Sequence, residues 1–469
     1  MFARASHLSR VQHACKPINA QAVNGNLPAL VFPARWMSQI VNALGLPRET
    51  LRAKLHELAD IKPAASDEIF WHLHNHSIHT WDDVPVVGAR KREQLATALD
   101  LSLPRIVEGH TGEDGTRKWL LSLEGGALVE TVFIPELVDP LHSAPGARKV
   151  DRGVLCVSSQ VGCSLACSFC HTGTQALKRN LKPHEIVGQL HAAKNALAEK
   201  ADGAAAPNIT NVVFMGQGEP LYNWRAVSSA VRIMTDRRGG NIAHKRCTIS
   251  TSGVAPHMAK VGSELGVNLA LSLHATDDAT RSRIMNVNRS FPLPVVLHAC
   301  REYRDAVYTS PEAEASRSAR KANEASQGAV RRSALRGDAA PSNGAGQEVH
   351  STTRRSGRRI LFEYTLLDGI NDSLDDAQRL VHLTSEFNCH VNIIPFNPWP
   401  GAPYSCPSDE QVMQFGKLLL EQGVTASIRW PRGRDIMAAC GQLHSHHRSE
   451  SQASDAGHSL ALQAGLSRV

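Results

Sequence analysis

The stretch CSLACSFC, residues 163–170, decides how the rest of the chain is interpreted. It contains three cysteines in a C-x3-C-x2-C pattern, and an aromatic residue, Phe169, precedes the last of them. Three thiolates are one ligand short of the four that a closed zinc site or a closed four-iron cluster needs. The pattern therefore indicates a zinc site completed by another residue such as the adjacent His171, an iron–sulfur cluster with a distant fourth ligand, or a cluster with one open iron. The candidate metal ligands are Cys163, Cys167 and Cys170.

Composition is that of a globular protein with redox or metal chemistry. The chain has 469 residues, of which 42% are hydrophobic and 20% are charged. This length predicts one large domain with appendages. Its ten cysteines are scattered apart from the one tight group at 163–170. This distribution favours a reducing compartment over a secreted disulfide scaffold. No run of about 18 apolar residues occurs, so the sequence predicts neither a membrane-spanning helix nor a membrane partner.

The net charge of +7 comes from two segments. Residues 1–48 contain five basic residues and no acidic one, and residues 311–359 contain ten basic and five acidic residues. Each segment contributes about +5, so the remaining chain carries about −3. Charge alone is therefore weak evidence that the core binds nucleic acid.

The N-terminal third divides into three predicted segments. Residues 1–36 lack acidic residues and begin as an amphipathic stretch, which predicts a transit peptide and a plastid or mitochondrial location. Translation from Met37 would instead give a cytoplasmic protein. Residues 37–110 show helical periodicity and form a predicted accessory domain. Residues 111–150 include stretches with apolar residues at every second position, as in strands, and form a predicted strand-rich connector.

The remainder alternates between helices and short apolar strands, which predicts an α/β fold with a parallel sheet. Polar residues follow several of these strands, where a parallel barrel places its active site. The barrel core is assigned to residues 151–310 and 360–445. A basic insertion at 311–359 and the tail at 446–469 are predicted to be disordered. The predicted strands are NVVFMG (211–216), CTIST (247–251), NLALSLH (268–274), ILFEYTLL (360–367) and HVNIIPF (390–396), and helices are predicted at 183–197 and 374–386.

The cysteine pattern with its preceding aromatic residue resembles that of the radical S-adenosylmethionine (SAM) enzymes. This resemblance implies that the three thiolates hold a [4Fe–4S] cluster whose fourth iron binds SAM. Reduction of the bound SAM by one electron then gives a 5′-deoxyadenosyl radical. Further matching segments follow other predicted strands, namely GQGEP (216–220), STSG (250–253), SLH (272–274) and FNPWPGAPY (396–404).

Three more segments narrow the resemblance to the RlmN-type methyltransferases: ETVFIP (130–135), VSSQVGC (157–163) and MAACGQL (437–443). The match covers residues 38–443 apart from the insertion. It implies a TIM-like partial (β/α)6 barrel with a small N-terminal helical accessory domain. It also implies methylation of C2 of one adenine in 23S-type ribosomal RNA (the adenine 2503 equivalent), with adenine 37 of transfer RNA as a second candidate substrate. GQGEP replaces the more usual GMGEP, a departure that we expect to be harmless.

The resemblance also assigns roles to individual residues. Cys440 would carry a methyl group received from one SAM molecule, and a second SAM per turnover would supply the radical. Cys156 would release the RNA by forming a disulfide with Cys440, and Glu130 would act as general base. The implied cofactor contacts are Gly218, Glu219, Ser250, Ser272, Leu273, His274 and Asn397.

The chemistry explains why two additional cysteines are needed. C2 of adenine is electron-poor and cannot attack the SAM methyl group directly, so a methylated cysteine has to be activated and added to it. The reaction requires an electron donor such as flavodoxin or ferredoxin, and we expect a monomer. Three alternatives stay open: a sister enzyme of the resistance type that methylates C8, a non-catalytic iron–sulfur RNA-binding factor, and a zinc protein.

Overall fold

The computed structural model describes residues 40–76, 78–136, 152–199, 207–306 and 358–445. The described residues belong to one compact unit that begins at Ile40. The predicted transit peptide, the predicted tail and all but the last two residues of the predicted insertion lie outside the described residues. The domain limits drawn from the sequence therefore remain predictions.

A sheet of ten strands forms the centre of the described structure. Seven of its strands are parallel and lie side by side in chain order, with one or two helices in the described part of each connection. The first six form the predicted partial (β/α)6 barrel, and the short seventh strand extends the sheet. The parallel strands are Arg152–Cys156, Asn208–Phe214, Cys247–Thr251, Asn268–Ser272, Ile360–Leu366, Cys389–Pro395 and Ala426–Ile428.

Three antiparallel strands extend the other edge of the sheet. The last of them, Leu128–Pro135, pairs antiparallel with the first barrel strand, and Val132 lies opposite Cys156. This pairing brings Glu130 and Cys156 to the same region of the sheet, although 26 positions separate them in the sequence. The other two antiparallel strands are Arg105–Thr111 and Arg117–Ser122.

Five of the seven parallel strands lie where the apolar runs of the sequence predict them, within three residues at either end, and the first and last parallel strands were not predicted. Their side chains are buried because helices cover the sheet, so the strands read as apolar runs rather than as alternating patterns. The barrel helices are Pro183–Glu199, Trp224–Thr235, Ala255–Ser263, Asp278–Ile284, Leu293–Asp305, Leu374–Thr384 and Asp409–Glu421.

Side-chain caps set the starts of three barrel helices. Asp277 accepts a hydrogen bond from the Thr280 amide (2.8 Å), and Ser373 accepts one from the Asp376 amide (3.1 Å). Ser408 caps the last helix in the same way. Each cap satisfies an amide at the helix start that has no partner within the helix. Among the described residues, no helix is long and apolar enough to cross a membrane.

Three helices precede the sheet and pack against the barrel through one continuous hydrophobic core. Nδ1 of His74 lies 3.2 Å from Nε2 of His191, which belongs to the first barrel helix. Both imidazoles are buried, and burial lowers the pKa of His74 well below its usual range and that of His191 to about 3. This pair is therefore a neutral packing contact between the two parts. The three helices are Arg48–Ala59, Pro63–Asn75 and Ala89–Ala96.

The contact between His74 and His191 predicts a loss of stability in mild acid. Because both pKa values are lowered in the folded state, the unfolded chain binds protons that the folded chain does not bind once the pH falls below about 6.5. The free energy of unfolding should fall between about pH 7.5 and about pH 5.5, by roughly 1 kcal/mol for each histidine. Thermal unfolding followed by circular dichroism at both pH values measures the change.

The double variant His74→Leu/His191→Leu should lose less of its Tm over the same pH interval, because neither replacement titrates. His298→Gln serves as the control, since the His298 side chain is exposed. An equal loss of Tm in the double variant and in the unaltered protein would contradict the assignment.

Candidate active site

One cavity lies at the carboxyl ends of the parallel strands and collects most of the predicted site residues. Ten of the thirteen line it, and Glu130, Cys156 and Leu273 do not. The carboxyl ends of parallel strands meet at one edge, which explains how residues from distant motifs converge. The ten are Cys163, Cys167, Cys170, Gly218, Glu219, Ser250, Ser272, His274, Asn397 and Cys440.

The cysteine loop is held by its own backbone. The amide of Cys163 donates to the carbonyl of Gln175 (3.0 Å), and the amide of Cys170 donates to the carbonyl of Cys167 (3.1 Å). Gly162 has φ +76°, and a Cβ there would lie 2.2 Å from the carbonyl oxygen of Ala176, so only glycine fits at the entrance to the loop.

The three thiols are poor anions on their own. Burial raises the pKa of Cys163 to about 12, and it raises the pKa of Cys167 and Cys170 as well. Thiols in such a site become thiolates when a positively charged metal centre binds them. The donor set therefore suits a cluster that compensates three partly buried negative charges.

The spacing of the thiols argues against a single zinc ion. Three sulfurs at about 2.3 Å from one zinc would lie about 3.8 Å from one another in tetrahedral geometry. Among the described residues, the only trio of potential ligand atoms within 4.8 Å of one another is Glu124, His184 and Glu185. The cysteine sulfurs are thus spread more widely, as the corners of a larger cluster require. In the acidic trio, Lys182 and Arg179 already pair with the two carboxylates.

Glu219 joins two loops at the floor of the cavity. Its Oε1 accepts from the Leu221 amide (3.0 Å), and its Oε2 accepts from the Ser252 amide (2.8 Å). Burial raises the pKa of this carboxyl. Gly218 beside it has φ +95°, and a Cβ there would lie 2.4 Å from the Cβ of Gln160. A fixed carboxylate with free lone pairs suits the ammonium group of an amino-acid cofactor.

His274 is a neutral hydrogen-bond donor at the cavity wall. Its Nδ1 accepts from the backbone amide of Thr365 (2.9 Å), so the ring proton resides on Nε2. Burial lowers the pKa of His274 to about 3, which keeps the imidazole uncharged. Its backbone is left-handed (φ 56°), and its ring packs against the Phe169 ring in a T-shaped arrangement with the ring centroids 4.8 Å apart. The neighbouring Leu273 points its side chain into the core, and its backbone amide donates to the Glu363 carbonyl.

Arg281 is a buried residue that the sequence motifs do not reveal. Its guanidinium donates to the carbonyl oxygens of Leu273 (3.0 Å), Ser252 (2.7 Å) and Ser272 (3.2 Å). It therefore fixes two of the strand ends that line the cavity, and its charge lies near the thiol of Cys167. Burial lowers the pKa of Arg281 to about 10, well above neutrality. Nothing in the single sequence separates it from Arg283, which is exposed on the same helix.

The segment that carries Cys440 folds back over the cysteine loop. The amide of His171 donates to the Gly441 carbonyl (2.7 Å), and the Thr172 hydroxyl donates to the Leu443 carbonyl (2.7 Å). Asn397 donates from Nδ2 to the carbonyl of Cys440 itself (3.2 Å). These contacts hold Cys440 at the cavity, on the side of the cluster ligands.

Glu130 and Lys118 tie down both ends of the same segment. Oε1 of Glu130 lies 3.0 Å from Nζ of Lys118, which also donates to the carbonyl of Met437 (3.2 Å). Oε2 of Glu130 accepts from the amide of His444 (2.7 Å). Glu130 therefore anchors the segment that carries Cys440, and Lys118 is a second residue that sequence reasoning missed.

Gln217, the departure in GQGEP, occupies a polar network in this region. Its side-chain oxygen accepts from the amide of Glu130 (3.0 Å) and from the hydroxyl of Ser445 (2.7 Å), and its amide group donates to Gln175 (3.1 Å). The buried amide is therefore satisfied. That the replacement leaves activity intact remains a prediction.

Cys156 lies beside the segment of Cys440 in a small apolar cluster with Val132, Ala438 and Leu443. Cys440 is close enough to raise its pKa further, although burial is the main cause of the increase. Both cysteines are free thiols. The structure thus brings together the two cysteines that the sequence places at opposite ends of the barrel.

Comparison with known proteins agrees with this geometry. Residues 157–310 match the radical SAM superfamily. The crystal structure of a radical SAM methyltransferase from Sphaerobacter thermophilus is 32% identical, with a TM-score of 0.67, and the match covers 87% of this chain and all of that one. The fold and the site define a radical SAM methyltransferase.

Curated relatives identify the family more closely. The dual-specificity RNA methyltransferase RlmN of Rhodospirillum rubrum is 41% identical over 407 residues, which cover 86% of this chain and 80% of that protein. RlmN of Nitrobacter winogradskyi is 38% identical over 448 residues, which cover 93% and 94% of the two chains. The chain belongs to the RlmN family of radical SAM methyltransferases. It is therefore an enzyme of the methyltransferase class, and its family uses a [4Fe–4S] cluster and SAM.

Replacement of Arg281 should destabilise the site. Arg281→Met removes the donor of three buried carbonyl oxygens, and each unsatisfied group costs about 1–3 kcal/mol. We expect a loss of about 3 kcal/mol or more in the free energy of unfolding, together with less iron retained after anaerobic reconstitution. Arg283→Met on the same helix is the matched control, because Arg283 is exposed. Equal Tm and iron content in the two variants would show that Arg281 has no such role.

Proposed function

We propose that this enzyme methylates C2 of an adenine in 23S-type ribosomal RNA, and of adenine 37 in transfer RNA, through a methyl group carried on Cys440. One observation carries the proposal: Cys440 lines the cavity of the cluster ligands and also neighbours Cys156. A methyltransferase that passed its methyl group directly from SAM to RNA would need neither cysteine. The RlmN relatives are named as dual-specificity RNA methyltransferases, which supports two RNA substrates.

The residues of this chain would divide the work as follows. Cys163, Cys167 and Cys170 would hold the cluster, and the other cavity residues would bind SAM, with Glu219 and His274 as fixed polar contacts. When bound, the cluster and two SAM molecules per turnover supply one methyl group and one hydrogen-abstracting radical. The methyl carbon on Cys440 would form the new bond to C2 of adenine, which links protein and RNA.

Release of the RNA would then fall to Glu130 and Cys156. Glu130 would take the proton from C2, and the adduct would return the one electron that the radical step consumed. The thiolate of Cys156 would attack the sulfur of Cys440, so that a disulfide forms as the carbon–sulfur bond to the RNA breaks. The electron pair of that bond would stay on the carbon, which takes up a proton and becomes the methyl group. The electron is expected from flavodoxin or ferredoxin, and the protein is expected to act as a monomer. Import into an organelle through residues 1–36 likewise remains a prediction.

Nucleoside mass spectrometry tests the position of methylation. Ribosomal and transfer RNA from cells that lack the protein should contain no 2-methyladenosine from its target sites, and the intact gene should restore it. The variant Cys440→Ala should fail to restore it. Loss of 8-methyladenosine instead would establish the C8 alternative, and unchanged levels of both nucleosides would refute the proposal.

The variant Cys156→Ala tests the roles of the two cysteines. Without Cys156 the link between Cys440 and RNA has no thiolate to break it, so a covalent protein–RNA adduct should accumulate. Denaturing gel electrophoresis before and after ribonuclease treatment detects it. The double variant Cys156→Ala/Cys440→Ala should form no adduct, and neither should Cys406→Ala, which changes a cysteine outside the cavity wall. Absence of the adduct in Cys156→Ala would overturn the assignment.

A further inference from the structure

A row of polar residues crosses four neighbouring strands of the sheet and reaches the cavity that Cys440 lines. The strand register pairs Ser272 with Glu363, Glu363 with Asn392, and Asn392 with Ser427. Residues at the same level of adjacent parallel strands project to the same face of the sheet. Glu363 lies in an otherwise apolar strand and is only 7% exposed, yet it lines the cavity together with Cys440.

Along this row each hydrogen bond is donated in the direction of the Glu363 carboxylate. Asn392 donates from Nδ2 to Oε1 of Glu363 (2.7 Å). Oδ1 of Asn392 accepts from the Ser427 hydroxyl (3.2 Å) and from Nε of Arg429 (3.0 Å). These acceptor contacts fix the orientation of the Asn392 amide, because its oxygen faces two donors and its nitrogen faces the carboxylate.

His390 sets the direction of the Ser427 hydroxyl. Its Nδ1 faces Nη2 of Arg359 at 3.0 Å, and an arginine can only donate. Nε2 of His390 therefore carries the proton and donates to Oγ of Ser427 (2.8 Å), which leaves the hydroxyl proton for Asn392. Oε1 of Glu363 is thus held at the end of an oriented chain.

The second oxygen of Glu363 is the chemically available one. Within the described residues, Oε2 of Glu363 accepts no hydrogen bond and is not among the buried atoms without a partner. It therefore has access to the cavity that the residue lines. Burial raises the pKa of Glu363, which makes the carboxylate a stronger base than an exposed one.

We propose that Glu363 accepts the proton of the Cys440 thiol when Cys440 takes its methyl group from SAM. This inference rests on the proposed function, in which Cys440 is the methyl carrier. The S–H bond of Cys440 breaks and its proton moves to Glu363, while the sulfur electron pair forms the new bond to the methyl carbon. The carbon–sulfonium bond of SAM breaks and leaves a neutral thioether product. The step needs no oxidant or reductant.

The other carboxylates near the site are already engaged. Both oxygens of Glu219 accept backbone amides, and both oxygens of Glu130 are held by Lys118 and the His444 amide. Glu130 also lies outside the cavity wall. The charged or titratable groups that act on the Cys440 thiol include Glu363, Arg429, Cys170 and the neighbouring Cys156. Of these only Glu363 can act as a carboxylate base.

Cys440 itself needs such a base. Although the residue is exposed, the protein atoms around its sulfur and the charge of Glu363 raise the pKa of its thiol to about 11. At neutral pH very little thiolate is therefore present to attack a methyl group. Proton transfer during the attack removes this limitation, and a positioned base contributes about 10²–10⁴-fold to such a step.

Two measurements on Glu363→Gln test the proposal: the pKa of the Cys440 thiol and the rate at which this thiol is methylated. Full-length protein is purified without its cluster, so that Cys440 starts unmethylated, and is reconstituted anaerobically. In the first measurement, without SAM, the pH dependence of iodoacetamide labelling of Cys440 is followed by peptide mass spectrometry and gives the apparent pKa of the thiol. This pKa should be lower in Glu363→Gln, because a nearby negative charge is removed.

In the second measurement, SAM is added without a reductant and S-methylation of the Cys440 peptide is timed. Here Glu363→Gln should be slower by about 100-fold or more, because the proton acceptor is lost. Glu363→Asp, which keeps a carboxylate, should recover part of the rate. Glu421→Gln changes an exposed glutamate and should match the unaltered protein in both measurements.

The outcomes separate the two proposals. Equal methylation rates in Glu363→Gln and the unaltered protein would overturn the role of Glu363 and leave Cys440 as methyl carrier. A slow rate that equilibrium dialysis traces to lost SAM binding would also overturn it, because Glu363 would then be a cofactor contact. No methylation of Cys440 in the unaltered protein would refute the proposed function itself.

Discussion

The site depends on one constraint: its polar groups are buried at the ends of parallel strands, so each has to be satisfied by a neighbour. An unpaired buried polar group costs about as much as several ordinary hydrogen bonds contribute. Arg281 meets this requirement for the backbone, since one guanidinium serves the carbonyls of two loops. Glu219 does the same for the amides. The cavity keeps its shape because these two charges cross-link its wall.

Glu130 links this rigid wall to the C-terminal segment. Its carboxylate holds the His444 amide and Lys118, and Lys118 holds Met437 in turn. Hydrogen bonds to a charged group are worth about 1.5–3 kcal/mol each. A Glu130 that also takes a proton from the RNA has to weaken this hold, because a protonated carboxyl accepts less strongly. Proton uptake by Glu130 would then loosen the segment that carries Cys440, in the same part of the cycle in which Cys156 has to reach the sulfur of Cys440.

The sequence predicted the parts of the site whose signal lies in local patterns. The apolar runs located the barrel strands, and the glycine and cysteine motifs marked the loops at their ends. The sequence analysis did not identify Arg281 and Lys118, because their partners are backbone carbonyls and a distant carboxylate, which leave no local sequence pattern. Glu363 did leave a signal, as the one charged residue within the apolar run ILFEYTLL. Such a residue is costly in a buried strand and therefore indicates a function.

The raised pKa values of Cys156 and Cys440 suit a mechanism in which the disulfide between them must not form before the methyl group has been transferred. Burial raises the pKa of Cys156, and the protein atoms around the Cys440 sulfur together with the charge of Glu363 raise that of Cys440, so at neutral pH both remain thiols. Disulfide formation begins with a thiolate, so two neighbouring thiols that ionised readily would be prone to oxidation to the disulfide, by any oxidant that reached the site, before a methyl group was transferred. A raised pKa suppresses that reaction, and it also creates the need for a base at each step. Glu363, which lines the same cavity, is the base proposed for Cys440. Cys156 packs in an apolar cluster with Ala438 and Leu443 of the segment that carries Cys440, so burial opposes its ionisation while that segment lies against it.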